Sequence, residues 1–78
     1  MSDENEVMST EDRLIYMANQ IARNVAALGE EEAVATVADH IRAFWDPAMK
    51  QRIGALAAAR PEALSPIAAA AVGRIVAP

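Results

Sequence analysis

Hydrophobic positions along this chain recur every three or four residues, which is the spacing of one face of an α-helix. The first such segment follows Ser9 and Thr10, either of which can cap a helix, and two acids then favour the positive helix end. Gly29 is a residue type that helix ends favour. We therefore predict a first helix over residues 10–28. Its apolar stripe comprises Leu14, Met17, Ala18, Ile21, Val25 and Leu28.

A second helix is predicted over residues 30–45, again with acids in its first turn. Its stripe comprises Val34, Val37, Ala38, Ile41 and Trp45, with Phe44 beside it. Asp46-Pro47 must end this helix, because a residue that precedes proline disfavours helical backbone. The same dipeptide suits the start of the next helix, since Asp46 can cap it and Pro47 fits its first position. Asp46 and Pro47 are therefore predicted to form a tight helix corner.

Two further helices are predicted over residues 47–59 and 66–76. In the first, Met49, Ile53, Leu56 and Ala57 share a face; in the second, Ile67, Ala71, Val72 and Ile75 follow the cap Ser65. Apolar and polar residues do not alternate as they would in strands. The predicted fold is all-α, a small bundle of about four short helices over residues 10–78. Residues 1–9 are acidic and aperiodic, which predicts a disordered arm.

The composition predicts a thin core. The chain has 78 residues, of which 54% are hydrophobic, but 19 of these are alanine. Alanine favours helix, yet it buries little area. A chain of this length buries only about 60% of its unfolded surface. One domain is therefore the limit, and we expect its stability to benefit from burial against a partner.

Charge and cysteine content exclude several classes of protein. Residues 1–12 carry a net charge of −5 and residues 13–78 a net charge of +1, so no basic stripe favours nucleic acid. Without cysteine the chain cannot form disulfides or hold thiolate-bound metals. No apolar run reaches the roughly 20 residues needed to cross a bilayer, and the acidic start does not resemble a secretory signal. We expect a cytoplasmic protein that binds neither membrane nor nucleic acid.

Catalysis by this chain is not predicted. Enzyme sites need several titratable groups that converge, but the chain has one His and one Tyr. Asp39 and His40 are neighbours in a helix, so their side chains point about 100° apart and cannot work as a pair. The acids Glu30 to Glu32 are explained by the helix dipole. We predict no catalytic, cofactor-binding or metal-binding residue here.

The aromatic segment around Phe44 and Trp45 is the most informative part of the chain. Adjacent helical residues cannot both face the core, so one is expected inside and the other in a groove on a partner. His40 raises the same question, as do Tyr16 and its neighbours Asn19 and Gln20. The alternative for His40, Tyr16, Asn19 and Gln20 is that they form an ordinary solvent-exposed helix surface without a partner.

Three segments resemble a known family. They are Tyr-Met-Ala-Asn-Gln-Ile-Ala at residues 16–22, Val-Ala-Asp-His-Ile-Arg-Ala-Phe-Trp-Asp-Pro at residues 37–47 followed by Met49, and Leu-Ser-Pro-Ile at residues 64–67. Together they resemble the delta subunit of NAD-dependent formate dehydrogenase, and the likeness covers about residues 10–76. The middle segment is the most specific of the three.

The resemblance implies a non-catalytic accessory subunit of a cytoplasmic molybdenum or tungsten enzyme that oxidises formate and reduces NAD. The pterin cofactor, iron–sulfur clusters, FMN and NAD would belong to larger subunits. This chain would support assembly, stability or cofactor maturation of the catalytic alpha subunit. The candidate partner-binding residues, with those that the motif adds, are Tyr16, Asn19, Gln20, His40, Phe44, Trp45, Asp46 and Met49.

One alternative function stays open at this point. The chain could be a stand-alone helical regulator that self-associates or binds nucleic acid, with the helices around Asp46-Pro47 acting as a helix-turn-helix. Only Lys50 and Arg52 would then serve as bases on the reading helix, which is few for phosphate contacts. The sequence also leaves open whether the isolated chain forms a homo-oligomer.

Overall fold

The computed structural model of the chain describes residues 9–76. They form four α-helices, which are α1 at Thr10–Val25, α2 at Glu30–Phe44, α3 at Pro47–Ala59 and α4 at Pro66–Val76. No strand occurs within these residues, so the all-α bundle is confirmed. The predicted disordered arm lies, apart from Ser9, outside the described residues. No helix in residues 9–76 combines the length and the apolar character needed to cross a bilayer.

The predicted caps explain where three helices begin. The Asp12 backbone N–H donates to the Ser9 hydroxyl at 3.1 Å, so α1 starts directly after Ser9. At the start of α3 the Met49 backbone N–H donates to the Asp46 carboxylate at 2.8 Å. In α4 the Ala68 backbone N–H donates to the Ser65 hydroxyl at 3.3 Å. Each cap satisfies a backbone donor that has no partner within its own helix.

The end of the first helix differs from the prediction. The α-helix stops at Val25, and Ala26–Leu28 form a 3₁₀ turn. Gly29, at φ +96°, redirects the chain, and its N–H donates to the Ala26 carbonyl at 3.2 Å, which tightens this turn. Leu28 is consequently rotated out of the stripe and is 48% exposed, so its prediction as a core residue was wrong.

The other boundaries hold to within one residue. The α2 helix ends at Phe44, and Trp45 is already extended, with φ −89° and ψ 138°. A second 3₁₀ turn, at Pro61–Ala63, connects α3 to α4 and was not predicted. It follows Arg60, whose N–H closes the last turn of α3 onto the Leu56 carbonyl at 2.7 Å.

The core is built around α2, which packs most extensively against α4. The predicted α2 stripe is confirmed, since all five of its residues are buried. Small side chains on α4 let the two helices approach closely. Five buried residues fell outside the predicted stripes, namely Ile15, Ala22, Ala33, Leu64 and Ala68. Met17, Ile21 and Val25 are only partly buried, so the core-facing side of α1 is rotated toward Ile15 and Ala22.

Candidate partner-binding surface

Phe44 and Trp45 are neighbours in sequence but differ sharply in burial. The Trp45 side chain is 4% exposed and belongs to the core, whereas Phe44 is 75% exposed. The extended backbone at Trp45 turns its indole inward at the point where α2 ends. Of these two rings only Phe44 is exposed in the chain alone, and the role of either ring in partner binding stays a prediction.

His40 lies against Phe44. Their ring centroids are 4.9 Å apart with planes tilted by 42°, a separation typical of favourable aromatic pairs. The two residues are four positions apart on α2 and therefore occupy the same helix face. His40 is half-buried while Phe44 projects beyond it. The pair restricts the rotamers of an otherwise exposed phenyl ring.

The helix corner below Phe44 is held by polar contacts. The Asp46 carboxylate caps α3, and Pro47 is the first residue of that helix, as predicted. The Lys50 ammonium donates to the Arg42 carbonyl at 3.0 Å, which satisfies an acceptor in the last turn of α2. Met49 packs half-buried against the core. Phe44 is thus presented from a braced corner, which lowers the entropy lost on binding.

The predicted residues on α1 separate into two groups. Tyr16 is 55% exposed and points away from the core. Asn19 points inward: its side-chain N–H donates to the Ala63 carbonyl at 3.0 Å, and its side-chain oxygen accepts from the Ser65 N–H at 2.8 Å. Gln20 is half-buried. Asn19 therefore stabilises the connection between α3 and α4 through two hydrogen bonds that the sequence did not predict.

Several basic residues are engaged within the chain. Arg52 pairs with Glu11 at 3.0 Å, and Arg60 reaches Asp12 at 3.5 Å, so α1 and α3 are linked at two points. Both pairs are about half exposed, so each contributes little to stability. Of the two bases that a helix-turn-helix would use, Arg52 is paired with Glu11 and Lys50 is bound to the Arg42 carbonyl.

The side chains that this surface presents suit contact with another protein. Across residues 9–76 no three His, Cys, Asp or Glu side chains come together as a metal site. The exposed aromatics Phe44 and Tyr16 are instead the side-chain types that supply much of the energy at protein interfaces. The arrangement can provide a rigid apolar contact to another protein.

Comparison with known proteins gives one match. The family model described as "NADH-dependant formate dehydrogenase delta subunit FdsD" matches residues 13–72. Neither a curated protein nor a solved structure matches the chain. The matched range contains the exposed aromatics, the helix corner and the Asn19 contact, and it spans well over half of the sequence. The chain therefore belongs to the family of NADH-dependent formate dehydrogenase delta subunits.

Proposed function

We propose that this chain is a non-catalytic accessory subunit that binds the larger subunits of formate dehydrogenase, above all the catalytic alpha subunit. The observation that carries the proposal is the exposure of Phe44 beside the buried Trp45. An exposed phenyl ring that is held by His40 and braced by the α2–α3 corner can enter an apolar groove with little loss of side-chain entropy. Tyr16 adds a second exposed aromatic on α1.

The proposed role is to support assembly, stability or cofactor maturation of the alpha subunit. A chain without cysteine cannot hold iron–sulfur clusters through thiolates, so those clusters would reside in other subunits. The pterin cofactor, flavin and NAD would also be bound there. This chain would then act through contact alone, by covering apolar surface on the alpha subunit during or after cofactor loading.

The nucleic-acid alternative gains no support from the described residues. Lys50 and Arg52 would have to contact phosphates, but both make contacts within the chain. A reading helix with no free base would provide very little of the electrostatic attraction on which DNA binding depends. We therefore retain the subunit proposal.

The test is a comparison of the complex with wild-type chain, Phe44→Ala and Leu28→Ala, together with a deletion strain. Leu28 is also an exposed apolar residue, but it is remote from Phe44 and does not line the groove formed by α1 and the starts of α2 and α4, so it serves as the matched control. Co-purification with the alpha subunit, formate-dependent NAD reduction and metal content are the measurements. We expect Phe44→Ala to weaken association by about tenfold or more, and Leu28→Ala to have little effect.

The deletion strain should contain alpha subunit that is less active, less abundant or poorer in pterin cofactor. Full activity and full cofactor content in that strain would rule out the accessory role. If wild type, Phe44→Ala and Leu28→Ala were retained equally in the complex, Phe44 would be ruled out as the contact.

A further inference from the structure

A groove lies at the other end of the bundle, where the second half of α1 meets the starts of α2 and α4. Its volume is about 420 Å³. Ala22, Ala26, Pro66 and Ile67 supply apolar lining, and the exposed side chains of Arg23 and Glu30 also border the groove. The two alanines on the α1 side leave space that larger side chains would fill.

The walls of this groove are fixed by hydrogen bonds. Asn19, which also lines the groove, binds the Ala63 carbonyl and the Ser65 N–H on the segment that leads into α4. These two contacts hold the start of α4 against α1, so the groove exists in the chain alone. Preformed apolar clefts of several hundred Å³ are typical of sites that accept an apolar group.

The charges at the groove are complementary to a specific kind of occupant. Neither Arg23 nor Glu30 forms an ion pair or a side-chain hydrogen bond within residues 9–76. One positive and one negative side chain therefore border an apolar cleft, and neither is paired with another described residue. An apolar side chain that carries an acid on one side and a base on the other would match both charges, and such complementarity fixes orientation.

The groove is separate from the surface around Phe44. Glu30 and Phe44 are the first and last residues of α2. At 1.5 Å per residue they are about 20 Å apart along the helix axis. A partner that contacts both points would therefore span the length of α2, and a change at one point leaves the other intact.

We propose that this groove is a second docking point, which receives an apolar side chain of a larger formate dehydrogenase subunit. That side chain is flanked by an acidic group that meets Arg23 and a basic group that meets Glu30. The inference rests on the proposed function, because it assumes that the chain binds those subunits. It adds a contact at the opposite end of α2 from Phe44.

The test is to fill the groove. Ala26→Trp places a large side chain inside it, and Ala27→Trp places the same side chain at an exposed neighbour that does not line it. Full-length variants are titrated into formate dehydrogenase purified without this chain. We expect Ala26→Trp to bind about tenfold more weakly and Ala27→Trp to bind like wild type. Circular dichroism melts confirm that both variants are folded.

A charge reversal provides an independent measurement. Glu30→Lys and Glu31→Lys remove the same favourable charge from the first turn of α2, but only Glu30 borders the groove. We expect several-fold weaker binding for Glu30→Lys alone. The inference is overturned if all four variants bind with wild-type affinity. It is also overturned if the two tryptophan variants lose affinity equally and the two lysine variants do so as well.

Three further outcomes are separable. If the wild-type chain itself does not bind the larger subunits, the proposed function fails along with this inference. If wild type binds and Phe44→Ala weakens binding while the groove variants do not, only the groove proposal is overturned. A change in the oligomeric state of the isolated chain on Ala26→Trp, without a change in affinity for the larger subunits, would assign the groove to a second copy and also overturn it.

Discussion

The side-chain oxygen of Asn19 accepts a hydrogen bond from the backbone N–H of Ser65 at 2.8 Å, across 46 positions of sequence. The same carboxamide donates to the Ala63 carbonyl at 3.0 Å. One side chain on α1 thus satisfies a donor and an acceptor on the connection to α4. This contact sets the start of α4, on which both the core and the groove depend.

Removal of this contact should destabilise the fold. We expect Asn19→Ala to lower the free energy of unfolding by about 2 kcal/mol, because two partly buried backbone groups lose their partner. In a domain of this size each kcal/mol lowers Tm by about 4–8 °C. Thermal and urea melts monitored by circular dichroism measure the change.

Asn24→Ala is the matched control, since Asn24 lies on the same helix, is exposed and makes no side-chain hydrogen bond among the described residues. We expect its effect to stay within about 0.5 kcal/mol. If Asn19→Ala were as stable as Asn24→Ala, the Asn19 carboxamide would not stabilise the connection between α3 and α4.

Two helical glycines should respond differently to alanine. A Cβ on Gly54 would lie 2.7 Å from Cγ1 of Val76, whereas a Cβ on Gly73 would meet no heavy atom within 4 Å. Alanine improves helix propensity by about 1 kcal/mol over glycine. We expect Gly73→Ala to stabilise the fold by about that amount and Gly54→Ala to lose most of the gain to the contact with Val76.

A double-mutant cycle isolates this contact. In a Val76→Ala background, Gly54→Ala should recover about 1 kcal/mol, because the clashing methyl group has been removed. Chemical denaturation of the four chains gives the coupling energy. Additive effects of the two substitutions would show that α3 and α4 do not meet closely at Gly54.

The helix corner should depend on the cap at Asp46. Asp46→Ala removes the acceptor of the Met49 N–H and should lower the free energy of unfolding by about 1 kcal/mol. Asp46→Asn retains a side-chain oxygen and should retain most of the stability. The midpoint of urea denaturation measures both, and equal losses for the two variants would contradict a capping role.

The two aromatic neighbours should separate stability from binding. Trp45→Ala removes a buried side chain and should cost about 3–5 kcal/mol, whereas Phe44→Ala removes only the ring contact with His40 and should cost about 1 kcal/mol at most. Trp45 is the only tryptophan, so its fluorescence reports on the core directly. We expect blue-shifted emission that acrylamide quenches poorly, with a red shift on unfolding.

Free access of acrylamide to Trp45 in the folded chain would contradict the burial of its indole ring. A large loss of stability in Phe44→Ala would contradict the exposure of its phenyl ring. Either result would reverse the assignment of the two rings to core and surface.

The sequence by itself determined the helices and their starts. Local interactions decide these features: the spacing of apolar residues sets each helix, and Ser9, Asp46 and Ser65 mark helix starts through contacts three residues away. The motif at residues 37–47 also indicated the family that residues 13–72 then matched. The sequence could not decide which of Phe44 and Trp45 is buried, because both side chains are large and aromatic and only the backbone at the end of α2 and the packing distinguish them.

The tertiary structure decided which faces are buried and what joins distant segments. Leu28 left the core because the backbone at Gly29 redirects the chain, an effect that apolar spacing does not encode. Asn19 resembled a surface residue by its type and spacing, yet its partners lie 44 and 46 residues away. Contacts of that range depend on how the helices pack, and in a bundle rich in alanine the packing depends on close approach rather than on a strong apolar pattern.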